Sequence, residues 1–192
     1  PSDEDYMKTS VWSLVAHRLP WLMLLMISAT FTSTIITHFE TLLSGAVLLT
    51  AFIPMLMDTG GNSGSQACVS IIRGISLNEI EFRDLGRVVW KEIRVSVLCG
   101  VCLAVACFAK IIVIDMLLLK SESVTYLVAF VVCATMAVTV CLAKIVGSTL
   151  PLLAKKLGFD PAVMASPIIT TIVDFLSLLV YFAFATAMLG IG

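Results

Sequence analysis

Asp174 is the residue whose chemistry is hardest to reconcile with its neighbours. It lies thirteen residues after Pro161 in an apolar stretch, so about 20 Å along a helix. No Lys or Arg stands within a helical turn of it. Ser166, Thr170, Ser177 and Tyr181 lie at offsets of -8, -4, +3 and +7. Those offsets put one polar stripe on one helix face. The remaining residues of the segment are largely Ile, Val, Leu and Phe. A carboxylate set among hydroxyls offers oxygen ligands and negative charge, which is what a hard cation requires. The alternative is a protonated aspartate, buried and hydrogen-bonded to another helix.

Asp58 is the second such group. It follows Pro54 by four residues and opens the run Asp58-Thr59-Gly60-Gly61-Asn62-Ser63-Gly64. Proline removes one helical hydrogen bond and frees a carbonyl. Gly60, Gly61 and Gly64 permit unwound backbone or close helix contact. Irregular backbone at membrane depth persists only where protein covers it or water fills a cavity. Freed carbonyls with Asn62, Ser63, Ser65 and Gln66 would then face an ion. The competing reading is a tight helix crossing through Gly60 and Gly64. The two are compatible.

Other polar residues carry weaker signals. Ser28, Thr30, Thr32, Ser33, Thr34 and Thr37 crowd one apolar segment, where hydroxyls usually bond across helices. His17 and His38 flank that segment, and Glu40, Asp115 and Glu122 read as loop or interface groups. Lys110 and Asp115 are five apart, too far for an ordinary helical ion pair. Cys99 and Cys102 form a CxxC inside an apolar run without a second pair. The six cysteines read as small packing residues. No HExxH, GxSxG or phosphate-binding glycine loop occurs, so no enzyme is indicated.

The elements that carry these residues are apolar and long. Of 192 residues, 59% are hydrophobic and 13% charged, about half the charge of a soluble domain. Mean hydropathy is +1.06. The expected fold is an all-α polytopic membrane protein, in which five helices span the bilayer near 20–38, 42–72, 90–114, 124–150 and 161–189. Pro20 is expected to start the first, and Asp160-Pro161 to cap and start the fifth. The polar stretch from Arg73 to Arg94 reads as a helical linker on the membrane surface. Lys110 and Lys144 are expected near span ends, snorkelling to an interface. Counting Lys and Arg by loop puts the N-terminus in the cytoplasm and the C-terminus outside. The net charge of -1 suggests no nucleic-acid partner. The acidic, polar start is not a signal peptide. No internal repeat is present, so a hydrophilic path is most simply built on a dimer axis.

Pro54 through Gln66 (PMLMDTGGNSGSQ), followed by Ile72-Arg73-Gly74, resembles the second transmembrane segment of the MgtE magnesium channel family. Leu157-Gly158-Phe159-Asp160-Pro161-Ala162, with Ser166-Pro167, Thr170-Thr171 and Asp174, resembles the start of that family's fifth helix. Lys91-Glu92 stands where the family has the polar start of its third. The match runs in order through nearly the whole chain. It implies a homodimer in the bilayer, with a pore lined by the second and fifth helices. Asp174 would bind a hydrated Mg²⁺, with Ser166, Thr170, Asn62 and Asp58 contributing. Pro54, Gly60, Gly61, Gly64 and Ser177 would line the pore. Mg²⁺ dehydrates reluctantly, which suits a site of few carboxylates. Mn²⁺, Co²⁺ and Ni²⁺ are further cargo candidates. Two positions depart from the family: Ser166 replaces a common Asn or Gly, and Asp58 a small neutral residue. The family's cytoplasmic helical and CBS domains would precede Pro1, so the expectation is an excised membrane domain from a bacterial plasma membrane, with an unusual short member as the alternative. A Mg²⁺ exchanger driven by another cation is the nearest rival reading. A non-conducting sensor or anchor, and an intramembrane aspartyl protease using Asp58 and Asp174, are more distant ones.

Overall fold

The computed structural model describes residues 7–45, 47–121 and 124–190; within them, side chains at 42, 43, 45 and 162–167 lie outside the described set. The described residues are helical almost throughout. The order is α1 (Val11–His38), α2 (Glu40–Gly45), α3 (Leu48–Ser76), α4 (Leu85–Lys110), α5 (Tyr126–Lys156) and α6 (Pro161–Leu189). By length and composition, four segments among the described residues can cross a membrane: Val11–His38, Phe82–Leu118, Tyr126–Lys156 and Ile168–Leu189. The fifth long helix, α3, has 29 residues. Its polar run around Asp58 sets it apart from those four.

Local sequence explains most of the boundaries. Ser10 caps α1 by accepting from the Ser13 amide at 3.2 Å. The helix therefore begins at Val11, and Pro20 lies inside it rather than at its start. Thr125 caps α5 in the same way, through the Val128 amide. Gly158, at φ +80°, takes the left-handed turn that separates α5 from α6; glycine does this without strain. The expected range 161–189 coincides with α6.

The stretch from Arg73 to Arg94 is not a separate surface helix. α3 continues to Ser76, and the chain reverses through Asn78 at φ 57°. A 3₁₀ turn at Phe82–Asp84 then leads straight into α4. Glu81 and Asp84 form a reciprocal capping box there, in which the Glu81 amide, otherwise an orphaned donor, donates to Asp84 Oδ2 at 3.0 Å. The charges are thus spread over the last turn of α3, the connecting turn with Glu79, Glu81, Arg83 and Asp84, and the first turns of α4.

α4 does not end as an ordinary helix either. Residues Ile111–Leu118 form a π-helix. Its i→i+5 spacing brings residues five apart into line. Lys110 accordingly donates to Asp115 at 2.8 Å, the pairing that ordinary helical spacing forbids. Lys110 Nζ also lies 5.7 Å from the centre of the Phe52 ring.

α5 is the centre of the bundle and packs on α3, α4 and α6. One apolar core joins Leu49, Phe52 and Leu56 of α3 to Val132 and Met136 of α5 and Phe182 of α6. A second, smaller one joins Cys68, Ala143, Ile169 and Val173. Lys144 lies inside α5, which runs on to Lys156, and is only 6% exposed. α1 differs from the rest. It lies against α6, and Ile35 is its one buried side chain.

Candidate functional site

Helix α3 exposes Pro54, Asp58, Asn62 and Gln66 on one face. They are four residues apart, the spacing of one helical stripe. The GGN segment is not unwound. α3 runs unbroken through Asp58 to Gly64, so the expected freed carbonyls of an interrupted helix are not found there.

The glycines instead serve helix contact. A Cβ at Gly60 would lie 2.7 Å from Thr139 Cγ2 and 2.9 Å from Val173 Cγ1. One at Gly64 would lie 2.8 Å from Ile169 Cγ2. Gly147 of α5 meets the backbone of Gly64 itself. Small residues on both sides let the axes approach where lipid supplies no hydrophobic drive. The close crossing sets α3 beside α6 in a fixed register.

That register creates a cleft of about 320 Å³ between the two helices. Met57, Asp58, Gly61, Asn62 and Ser65 line it from α3. Thr170 and Asp174 line it from α6. Two carboxylates, a carboxamide and two hydroxyls therefore share one space. No Lys, Arg or His is among the described lining residues, so among them the cleft is acidic without an internal counter-ion. Asp174 is half-buried and Asp58 exposed.

Asp174, Thr170, Asp58, Asn62, Gly61 and Ser65 are the sequence-derived residues that the structure brings together. Pro54 is exposed on the same α3 face but outside the cleft. Gly60 and Gly64 lie behind it in the helix crossing. Ser177 is 1% exposed and donates to the Val173 carbonyl at 2.6 Å. Tyr181, at the end of the expected polar stripe, is buried and donates to the Leu49 carbonyl of α3 at 2.8 Å. The Ser166 side chain lies outside the described residues. Met57 lines the cleft without having been singled out; an apolar thioether beside Asp58 carries no sequence signal for an ion path.

The donor set suits a cation that keeps water. Among the described residues, no three His, Cys, Asp or Glu side chains converge as an all-protein metal cage. Mg²⁺ is commonly held by one or two carboxylates with several waters retained. Each water occupies about 30 Å³ of liquid, so the cleft volume exceeds that of six waters.

Long apolar helices packed around an acidic cleft define a polytopic helical membrane protein. Residues 53–184 match the family model described as MgtE, divalent cation transporter. The chain is 33% identical over 199 residues to the magnesium transporter MgtE of Bacillus subtilis, covering 98% of this chain and 42% of that protein. It is 32% identical over 187 residues to that of Thermus thermophilus, covering 97% and 40%. The Enterococcus faecalis protein of the same name is 32% identical over 171 residues, covering 89% and 36%. This chain thus belongs to the MgtE family, and it spans about two fifths of the length of these relatives.

Proposed function

We propose that the chain forms the membrane path of a magnesium transporter, and that Asp174 binds the passing ion with its water shell. The observation that carries this reading is the cleft in which Asp174, Thr170, Asp58 and Asn62 meet without a basic residue. The relatives' name, magnesium transporter, supports Mg²⁺ as the cargo, rather than a peptide for an aspartyl dyad.

The conducting unit is a homodimer. A polar stripe of Asp58, Asn62 and Gln66 facing outward from a single chain is costly in lipid, by roughly 2.5–3.5 kcal/mol for a central aspartate alone. A second copy turned about a two-fold axis removes that cost by closing the same stripe on itself. Four carboxylates then flank the path and repel anions. α3 counts as the fifth span of each subunit, with the N-terminus inside and the C-terminus outside, in the plasma membrane of a bacterium.

Flux is passive. Each charge gains about 2.3 kcal/mol per 100 mV of inside-negative potential, and a divalent ion twice that. The test is Mg²⁺ uptake into liposomes holding the purified chain, beside Asp174→Ala. Voltage-driven uptake that disappears in the variant is the expected result. Equal uptake by both proteins would overturn the role of Asp174. A strict requirement for Na⁺ or H⁺ on the opposite side would replace conduction with exchange.

A further inference from the structure

α6 is held on two opposite sides. Ile169 and Val173 pack towards Gly64 of α3 and Ala143 of α5. Thr171 lies between them in sequence, so it points about half a turn the other way. There its hydroxyl meets the hydroxyl of Ser28 on α1 at 3.0 Å. Ser28 is itself tied to its own helix through the Leu25 carbonyl at 2.8 Å. Ser33, Thr34 and Thr37 of α1 turn their hydroxyls back onto their own backbone, whereas Ser28 reaches across to α6.

Resting on the proposal that Asp174 is the ion site, we infer that the Ser28–Thr171 hydroxyl pair positions Asp174 and Thr170 in the cleft by fixing the rotation of α6. The Tyr181 bond to the Leu49 carbonyl holds α6 against α3, but ten residues beyond Thr171, about three turns away. At the level of the cleft the apolar contact of Ile169 and Val173 alone leaves this part of α6 able to roll about that line. A directed bond on the far side removes the freedom. Thr170 and Asp174 flank Thr171 by one and three residues, so a roll of α6 carries both carboxylate and hydroxyl out of register with Asp58 and Asn62. Ser28 and Thr171 are positioning residues; neither lines the cleft.

The experiment measures Mg²⁺ uptake against Mg²⁺ concentration for the reconstituted chain. Thr171→Val keeps the shape and removes the hydroxyl; Thr171→Ser keeps the hydroxyl. Thr171→Val should raise the half-saturating Mg²⁺ concentration roughly tenfold, the low end for loss of a supporting hydrogen bond at a metal site. Its melting temperature in detergent should stay close to the parent's. Thr171→Ser should restore the parent curve. Ser28→Ala should reproduce Thr171→Val, and the double variant should be no worse than either single one. Should Thr171→Val fail to fold, Ser28→Ala on the peripheral helix carries the test. Unchanged half-saturation in Ser28→Ala and Thr171→Val, or additive losses in the double variant, would overturn the inference. Asp174→Asn is measured alongside. If it transports like the parent, the site assignment itself fails; if it is dead while Ser28→Ala is normal, only the positioning role fails.

Discussion

Gly147 of α5 rests directly on the backbone of Gly64 of α3, with no room for a side-chain carbon between them. Gly147→Ala is therefore expected to force the helices apart. Overpacking of this kind costs about 1–3 kcal/mol, read as a lower melting temperature in detergent. Gly86 of α4 has nothing within 4 Å of a built Cβ. Gly86→Ala should be neutral or stabilising, by about 0.5–1 kcal/mol from helix propensity. Equal effects at the two positions would mean that the α3–α5 crossing is looser than described.

Tyr181 separates a packing role from an ion-path role. Its hydroxyl is bonded to the Leu49 carbonyl inside the core. Tyr181→Phe should cost about 1–2 kcal/mol of stability through the lost bond. It should leave the Mg²⁺ dependence of uptake unchanged. A shift in half-saturation without loss of stability would put Tyr181 on the path.

Asp58 is exposed on the cleft, so Asp58→Asn should fold normally. A carboxylate acting on a divalent ion through water at about 8 Å contributes roughly 1 kcal/mol. Half-saturation should therefore rise about fivefold at low ionic strength, and the difference should shrink in added salt. A loss as complete as that of Asp174→Ala would make Asp58 a direct ligand.

The Lys110–Asp115 pair, at 2.8 Å across the π-helix, predicts a non-additive cycle. Lys110 is 40% exposed and Asp115 17%, so solvent screening limits the coupling to about 0.5–1 kcal/mol. Lys110→Met and Asp115→Asn should each destabilise, and the double variant by less than their sum. Strict additivity would show that the pair contributes nothing to holding the π segment.

Sequence made much of the architecture legible. Hydropathy marked the long helices, and Asp160-Pro161 marked the start of α6. Helical spacing put Thr170 with Asp174, and the glycine-rich run singled out Asp58 and Asn62; the structure brings all four to one cleft. Several features were not legible, for physical reasons. Glycine signals an unwound turn and a close crossing equally, so the continuity of α3 was hidden. Hydroxyls can bond to their own helix, as Ser177 does. A polar stripe therefore does not reveal where the cleft ends and the core begins. Pairing at a spacing of five needs a π-helix, which residue types do not announce. Ser10 caps the mixed segment Val11–Leu19, with its His17 and Arg18, and so extends α1 backwards past Pro20.

The uninterrupted course of α3 has an evolutionary corollary. Where a channel coordinates its ion with main-chain oxygens, the selectivity device is the same for every residue type and resists point mutation. Here the carbonyls along Asp58–Gly64 belong to a helix, and the cleft presents side-chain oxygens. On the proposed reading, ion preference is encoded in replaceable groups. Single codon changes at Asp58, Asn62, Ser65 or Thr170 can retune it while the scaffold behind, fixed by Gly60, Gly64 and Gly147, stays as it is.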